Sequence, residues 1–216
     1  MNGPGQSAIE CPVCRAAKAG TFFPGYRICP VCEAVFLDPA RLPGREEERE
    51  RYLLHENDPA DPGYRNFLSR LAGPLLRRLL PGREGLDYGC GPGPALARIL
   101  EEAGHRVRLY DPFFHPDNRA LERQYDFVTC SETVEHFHRP AEEFERLDKL
   151  LRPGGWLAVM TAFRPAGREF AAWYYRRDPT HVVFYREATF RRLAGRFGWK
   201  PEFPARDVFL GRKAPT

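Results

Sequence analysis

The chain has 216 residues, of which 43% are hydrophobic, enough for one ordinary domain with a small appendage. The formal net charge is only +4, so the composition alone does not demand a nucleic-acid partner. The sequence has no run of about 18 apolar residues, which excludes a predicted transmembrane helix, and its N-terminus lacks a signal-peptide pattern. We therefore expect a cytoplasmic protein with no membrane partner.

Residues 1–10 are predicted to form a flexible tail, and residues 11–40 a small zinc ribbon. Four of the six cysteines form two C-x-x-C pairs, namely Cys11, Cys14, Cys29 and Cys32. This spacing is typical of paired zinc knuckles, in which four thiolates surround one Zn²⁺. Because so short a segment has no core of its own, the metal would supply its folding energy. Two redox-active dithiols, or a site that has lost its metal, are the alternatives.

Residues 41–63 are predicted to be a linker. Residues 41–51 carry many charges of both signs, a composition that usually marks a solvated face, and they are expected to be helical after Pro43. Over residues 64–80 the apolar side chains recur at helical spacing, although Gly73-Pro74 could kink that helix. The main domain is expected to cover residues 64–216.

Strands and helices alternate along this main domain. Strands are expected at 86–88, 106–110, 125–130 and 156–160, helices at 95–103, 140–151 and 187–197, and a closing strand pair at 200–203 and 207–211. Alternation of this kind implies a parallel sheet with helices on both faces. The predicted fold class is α/β, with a Rossmann-like, doubly wound, mostly parallel sheet.

The first of these strands leads into a glycine-rich turn that opens a helix. Gly89, Gly91 and Gly93 follow Asp87 and Tyr88 at every second position. Glycine lets the backbone approach a ligand closely, and the helix directs its free amides and positive dipole end at that ligand. The pattern predicts a cradle for a nucleotide cofactor, and a glycine turn without a ligand is the plain alternative.

The spacing of the turn argues against a dinucleotide. The dinucleotide fingerprint is G-x-G-x-x-G/A, and Pro94 stands where its third glycine belongs. Asp87 precedes the glycines, where a carboxylate would repel a phosphate and attract a cationic amine. S-adenosylmethionine (SAM) has an amine and no phosphate, and it fits both observations better than NAD does.

The motifs of the main domain, taken together, resemble those of the class I SAM-dependent methyltransferases. The matching stretches are 87–93, Asp111 after the second strand, 125–137 with its Glu-His ending, and 150–157. The resemblance covers residues 64–211. It implies that Asp111 binds the ribose hydroxyls, and that Cys130, Ser131 and Glu132 lie beside the cofactor.

The chain departs from the family pattern at the third strand. Only thirteen residues separate Asp111 from Tyr125, too few for both a helix and a strand of ordinary length. The third strand is expected to be short or missing, so the family's adenine contacts cannot be carried over. Pro112, Phe113 and Phe114 are expected to cover the adenine, with core packing as the alternative.

Two histidines are candidate general bases for methyl transfer. His136 follows Glu132 by four residues, just after a strand's carboxyl end, where ligands bind in such sheets. Packing or helix capping is the alternative for His136, and His138 is expected to face solvent. His181 lies in a polar and aromatic segment that shapes the acceptor pocket in the family.

The same segment supplies the candidate acceptor-binding residues. Tyr174 and Tyr175 are expected to stack on a base or ring, Arg176 and Arg177 to bind an anion, and Asp178 to lie in the pocket. Core packing is the alternative for the aromatic residues, and surface charge is the alternative for the two arginines.

The motifs thus predict a SAM-dependent methyltransferase with an unidentified acceptor. The cysteine segment resembles the ribbon found ahead of some ribosomal-RNA methyltransferases, which slightly favours RNA or another macromolecule over a small molecule. An inert zinc-ribbon binding module with a vestigial Rossmann-like domain is one alternative, and a nicotinamide oxidoreductase is another. If the ribbon only recognises the acceptor, deletion of residues 1–40 should leave cofactor binding intact.

Overall fold

The computed structural model describes residues 9–54, 57–167 and 169–215 of the chain. Most of the predicted flexible tail, residues 1–8, lies outside the described residues. Ile9 forms an antiparallel bridge with Ala19. The start of the described chain is thereby tied to the small N-terminal sheet.

This N-terminal sheet begins with three short strands, β1 (Gly20–Phe23), β2 (Tyr26–Ile28) and β3 (Val35–Leu37). β1 and β2 form a hairpin. Gly25 in the turn of this hairpin has φ +83°, a conformation that favours glycine. β3 pairs antiparallel with β2. One C-x-x-C knuckle therefore precedes β1, and the other lies between β2 and β3.

Two helices follow, α1 (Arg45–Tyr52) and α2 (Pro62–Leu76). The Asp61 carboxylate caps α2 by accepting hydrogen bonds from the backbone N–H groups of Gly63 and Tyr64 at 2.9 and 3.1 Å. α2 passes through Pro74 and ends one turn before residue 80, where the Arg78 guanidinium donates to the Pro74 carbonyl at 2.6 Å. Among the described residues, no helix is long and apolar enough to cross a membrane.

The main domain alternates strands and helices as the sequence predicts. Its first part contains β4 (Glu84–Tyr88), α3 (Ala95–Glu102), β5 (Arg106–Tyr110), β6 (Tyr125–Ser131), α4 (Pro140–Leu150) and β7 (Leu151–Met160). Its second part contains α5 (Glu169–Ala172), β8 (Val183–Phe184), α6 (Glu187–Phe197), β9 (Lys200–Ala205) and β10 (Val208–Arg212). Six strands form one sheet in the order β5-β4-β6-β7-β10-β9. β4 to β7 run parallel, and β10 is antiparallel to both of its neighbours.

The expected loss of the family's third strand is confirmed. Between β5 and β6 the chain forms only a 3-10 turn, Asn118–Glu122, and β5 lies at the edge of the sheet. The Tyr125 hydroxyl donates to the Ala120 carbonyl at 2.7 Å and ties this turn to β6. The doubly wound, mostly parallel fold is therefore present with one strand fewer.

Apolar side chains pack on both faces of the sheet, as this fold class requires. On one face Leu71 of α2 belongs to the same core cluster as Phe127 of β6. The opposite cluster contains Phe144 of α4 and Phe190 of α6, and it also contains Phe36 of β3. The ribbon and the main domain therefore share one hydrophobic core.

β8 joins the N-terminal sheet rather than the main one. It pairs antiparallel with β3, with Val35 opposite Phe184 and Phe36 opposite Val183. The N-terminal sheet thereby gains a fourth strand from the main domain. The sequence did not predict this strand, because two residues are too few to show a periodic pattern.

Candidate active site

The glycine turn between β4 and α3 is as tight as its sequence predicts. Gly89 and Gly91 adopt φ +74° and +65°, which favours glycine. A Cβ atom at Gly89 would lie 2.2 Å from the Thr133 Cγ2 atom, and one at Gly93 would lie 1.9 Å from the Asn57 carbonyl oxygen. A larger residue at Gly89 would therefore displace the Thr133 side chain, and one at Gly93 the Asn57 backbone, both of which line the adjoining cavity.

Asp87 lies near the carboxyl end of β4, where it is buried and lines the cavity. The Thr129 hydroxyl donates to its Oδ1 atom at 2.8 Å. Burial raises the pKa of Asp87 to about 6, and the hydrogen bond from Thr129 opposes this rise. A carboxylate with so little access to water is stabilised by a cationic ligand and would repel a phosphate.

Asp111, which follows β5, joins the glycine turn to the next loop. Its carboxylate accepts hydrogen bonds from the backbone N–H groups of Gly91 at 3.1 Å, Phe113 at 2.8 Å and Phe114 at 3.0 Å. These bonds fix the carboxylate at the wall of the cavity, which Pro112 also lines.

One cavity of about 920 Å³ lies at the carboxyl ends of the parallel strands. The residues predicted to bind the cofactor line it with one exception: Asp87, Tyr88, Gly89, Gly91, Gly93, Asp111, Pro112, Phe113, Ser131 and Glu132. The exception is Cys130, which is fully buried in the core, because successive residues of a strand point to opposite faces. The Ser131 hydroxyl is also buried, and it has no hydrogen-bond partner among the described residues.

The two candidate histidines face each other in the same cavity. The ring centroids of His136 and His181 are 4.7 Å apart. One nitrogen of each ring and one carboxylate oxygen of Glu135 lie within 4.8 Å of one another. Glu135 is fully buried, and the Tyr175 hydroxyl donates to it. A cluster of two imidazoles and a carboxylate can accept a proton or ligate a divalent cation.

Backbone carbonyl groups orient both imidazole rings. The Nδ1 atom of His181 lies 2.7 Å from the Tyr175 carbonyl oxygen, and that of His136 lies 2.9 Å from the Thr180 carbonyl oxygen. Because a carbonyl oxygen only accepts hydrogen bonds, each Nδ1 carries a proton, and the neutral ring holds its basic lone pair on Nε2. Each neutral ring can therefore take up a proton at Nε2.

The carboxyl groups beside the histidines share a poorly solvated environment. Burial raises the pKa of Glu132 to about 9, and the neighbouring charge of Glu135 adds to the rise. Burial also raises the pKa of Glu135, while the proximity of His181 opposes it. The Oε2 atom of Glu135 has no hydrogen-bond partner among the described residues. Burial therefore favours the protonated form of both carboxyl groups relative to a solvated glutamate.

Four of the five predicted acceptor-binding residues line the cavity: Tyr174, Tyr175, Arg177 and Asp178. The prediction for Arg176 is wrong. Its guanidinium donates to the carbonyl oxygens of Phe170 and Ala171 at 3.3 and 2.7 Å and lies over the Phe23 ring. Arg177, the other arginine expected to bind an anion, does line the cavity, because adjacent side chains of a 3-10 turn point in different directions.

Helix α1, in the segment predicted as a linker, borders the cavity. Four of its residues line the cavity: Arg45, Glu48, Arg51 and Tyr52. Glu48 Oε1 lies 2.9 Å from His138 Nε2, and the Arg51 guanidinium donates to Asp178 at 2.9 Å. The Tyr52 ring packs edge-on against His136, with ring centroids 5.1 Å apart. The expectation that His138 simply faces solvent is therefore wrong.

The four cysteines of the ribbon converge on one point. The Sγ atoms of Cys11 and Cys32 are 3.6 Å apart, as are those of Cys14 and Cys29. These distances are too long for a disulfide of about 2.05 Å and close to the edge of about 3.8 Å in a tetrahedron with Zn–S bonds of about 2.3 Å. A hydrogen bond from Cys32 lowers the pKa of Cys11 to about 6, whereas burial raises the pKa of Cys14 to about 11 and the bond with Cys11 raises the pKa of Cys32. The donor set fits Zn²⁺.

Residues 63–202 match the sequence profile of a methyltransferase domain family, and the chain belongs to that family. It is 29% identical over 135 residues to a ubiquinone biosynthesis O-methyltransferase of Nitrosospira multiformis, covering 51% of this chain and 52% of the relative. It is 30% identical over 143 residues to a protein of the same name from Bordetella pertussis, covering 55% and 56%. The chain spans about half the length of these curated relatives.

The fold also matches solved structures. A protein from Pyrococcus horikoshii superposes with a TM-score of 0.55 at 16% sequence identity, covering 77% of this chain and 99% of that one. At such low identity the likeness concerns the fold alone. Together with the family match, it confirms the Rossmann-like methyltransferase architecture that the motifs predict.

Proposed function

We propose that this protein transfers a methyl group from SAM to a hydroxyl group of a small-molecule acceptor. One observation supports this proposal above the others: the Asp87–glycine cradle and the imidazoles of His136 and His181 line the same cavity, and Glu135 lies buried behind the two rings. Methyl transfer is an in-line displacement, so the acceptor atom and the methyl group must be oriented in one shared space. A basic cluster beside a cofactor cradle provides that space.

The cofactor side of the cavity suits SAM. The buried carboxylate of Asp87 is placed for the cationic amine, and that of Asp111 for the ribose hydroxyls. The Ser131 hydroxyl, without a partner among the described residues, offers a further hydrogen bond. The other proposed cofactor contacts are Tyr88, Gly89, Gly91, Gly93, Pro112, Phe113 and Glu132. When bound, SAM supplies a methyl group on a positively charged sulfur, which is an activated leaving group.

His181 is the proposed general base. Its Nδ1–H is directed at the Tyr175 carbonyl, so Nε2 is the atom that would remove the acceptor's hydroxyl proton. The carboxylate of Glu135 lies close enough to stabilise the imidazolium that forms. A base in such a position typically adds about 10²–10⁴-fold to the rate. His136, oriented in the same way by Thr180, is the second candidate.

The acceptor is proposed to be a small molecule, because helix α1 forms part of the wall of the cavity in which the acceptor must bind. Tyr174, Tyr175 and Asp178 also line this cavity, and Arg51 of α1 forms an ion pair with Asp178 at 2.8 Å. The similarity to proteins named ubiquinone biosynthesis O-methyltransferase supports a hydroxyl acceptor on a small molecule. This proposal replaces the sequence-based preference for RNA.

The ribbon is proposed to bind one Zn²⁺ through Cys11, Cys14, Cys29 and Cys32. Four thiolates complete a tetrahedron and leave no coordination position open for a substrate, as is usual for structural zinc. The Cys32 carbonyl accepts a hydrogen bond from Thr189 of α6 at 2.8 Å. The second knuckle is therefore packed against the main domain, which agrees with a structural role.

Calorimetric titration with SAM, S-adenosylhomocysteine and NADH tests the cofactor assignment. We expect the first two to bind and NADH not to bind. Asp87→Asn should weaken SAM binding, whereas the matched substitution Asp126→Asn, outside the cavity lining, should leave the affinity unchanged. Binding of NADH alone would favour an oxidoreductase, and no binding of any cofactor would favour the inert module.

Methylation of a panel of hydroxylated aromatic compounds tests the acceptor and the base. We expect product without added divalent metal, and at least a hundredfold lower kcat in His181→Ala with unchanged SAM affinity. A strict requirement for added Mn²⁺ would instead assign Glu135, His136 and His181 to a metal site. Methylation of RNA but of no small molecule would refute the acceptor proposal.

A further inference from the structure

The segment Thr180–Tyr185 lies between the zinc ribbon and the catalytic cluster. On the ribbon side, β8 within this segment pairs with β3, and the Leu37 N–H donates to the Val182 carbonyl at 2.8 Å. On the cluster side, the Val182 N–H donates to the Glu135 carbonyl at 2.9 Å. His181 therefore directly precedes Val182, whose backbone is hydrogen-bonded on both sides.

The ends of this segment are tied to the 3-10 turn Val134–His136. At one end the Thr180 carbonyl accepts the hydrogen bond from His136 Nδ1 at 2.9 Å. At the other end the Tyr185 hydroxyl donates to the Val134 carbonyl at 2.8 Å. A displacement of the segment would therefore move both imidazole rings.

The main domain also contacts Glu33, the residue that directly follows the second knuckle, Cys29–Cys32. Arg164 donates to the Glu33 carbonyl from Nε at 3.1 Å and from Nη2 at 2.9 Å, and Arg186 forms an ion pair with the Glu33 carboxylate at 2.7 Å. Glu33 has φ +60°, the left-handed conformation in which the chain leaves the knuckle. The second knuckle thus determines where β3 begins, and the pairing of β3 with β8 determines the position of β8.

The glycine turn is held by a different set of contacts. Gly89 and Cys90 donate to the Tyr110 carbonyl at 2.8 and 3.2 Å, and Gly91 donates to Asp111. These partners belong to β5 and the loop after it. β5 forms one edge of the main sheet, and β7 and β10 lie towards the other edge. One contact joins the two sites, because the Thr133 hydroxyl, next to the turn that carries His136, donates to the Gly89 carbonyl at 3.3 Å. The backbone N–H groups of Gly89, Cys90 and Gly91 donate to β5 and the loop after it, so the cofactor cradle is supported mainly from that side.

We infer that the ribbon's second knuckle positions the His136–His181 pair for catalysis, with Arg164 as the positioning residue that links the knuckle to the main domain. This inference rests on the proposed function for the role of the histidines. It adds that loss of the metal from the four-thiolate site lowers the turnover of the acceptor but leaves the affinity for SAM unchanged. The ribbon is then part of the catalytic framework rather than a detachable recognition module.

Hydrogen exchange measured by mass spectrometry tests the coupling without any activity assay. The purified holoprotein is compared with protein whose zinc has been removed by a chelator under native conditions. We expect faster exchange after zinc removal in peptides covering residues 180–186 and 134–137, and unchanged exchange in residues 86–93. Equal loss of protection in all three, or no change beyond the ribbon itself, would overturn the inference. Because SAM turnover is not measured, this result is independent of the proposed function.

Two arginine variants test the positioning residue itself. Arg164→Met removes the hydrogen bonds to Glu33, and the matched control Arg191→Met alters an exposed arginine that pairs with Glu187 on α6. In Arg164→Met we expect one zinc per chain, SAM affinity within about twofold of wild type and kcat for the acceptor lower by about tenfold to a hundredfold. The acidic limb of the kcat–pH profile should move as well, because the environment of His181 changes. An unaltered kcat and pH profile, or an equal loss of SAM affinity, would contradict the inference.

Discussion

The charge of Asp87 is expected to govern cofactor affinity. Its pKa is about 6 because the carboxylate is buried, and a cationic amine binds the ionised form. The dissociation constant for SAM should therefore rise as pH falls below 6, by up to about tenfold per pH unit. Calorimetry on both sides of pH 6 measures this, and Asp87→Asn should give weak binding without that pH dependence. A flat profile in the wild type would contradict the assignment.

The same residue is expected to destabilise the protein without its cofactor. The pKa of Asp87 rises from an ordinary value of 3.8 to about 6 on folding. The folded state therefore binds this proton more tightly, and the resulting stabilisation is complete below pH 3.8 and lost as pH rises through 6. At neutral pH the burial of the charge costs about 3 kcal/mol. Asp87→Asn, which can still accept from Thr129, should raise the urea unfolding midpoint, and a lowered midpoint would refute this account.

Residues whose placement depends on neighbouring sequence could be predicted, and the others could not. The glycine turn fixes its own geometry, so Asp87, Gly89 and Gly91 lie where the pattern indicates. The predictions for Arg176 and Cys130 are wrong because a shift of one residue within a short element turns a side chain to the opposite side. Sequence spacing does not show which residue of a 3-10 turn, or of a strand end, faces the cavity.

Among the elements, α1 is expected to control acceptor binding. Burial acts to raise the pKa of Asp178, but hydrogen bonds from Arg51 and Thr180 hold it well below its usual range. Loss of the partner in Arg51→Met should raise KM for the acceptor several-fold and leave SAM affinity unchanged. The half-exposed pair contributes less than about 1 kcal/mol to stability, so the melting temperature should hardly move. Steady-state kinetics and thermal unfolding measure these effects, with Arg49→Met, on the solvent side, as the control.

α1 and β8 show what sequence patterns miss: a helix after Pro43 is expected but its place beside the cavity is not, and β8 is not expected at all. The charges of α1 match those of a solvated helix face, and the sequence does not reveal that Glu48 and Arg51 meet partners about 90 and 127 positions away. The available signal was Tyr52, a large aromatic residue at the end of a charged run, which lies one helical turn after Glu48. β8 is defined by pairing with a distant strand, which no local pattern encodes.

At the scale of the whole molecule, the shared core changes what deletion of the ribbon should do. From the sequence, loss of residues 1–40 was expected to spare cofactor binding. In the structure Phe36 is buried in the same cluster as Phe190 and Tyr185, and β3 covers one edge of β8. A buried phenylalanine typically contributes about 1.5–3 kcal/mol, and several such contacts would be lost together. The ribbon and the main domain should therefore unfold as one unit.

Deletion of residues 1–40 should accordingly destabilise the main domain rather than leave it intact. The 216-residue chain should show one cooperative transition in calorimetry, and the truncated chain should unfold at a markedly lower temperature or fail to fold. Circular dichroism and scanning calorimetry of both chains measure this, with deletion of residues 1–8 as the control expected to match wild type. If the truncated chain unfolded at the wild-type temperature, the ribbon would be an independent module, and the cooperative core inferred from the Phe36–Phe190 cluster would be wrong.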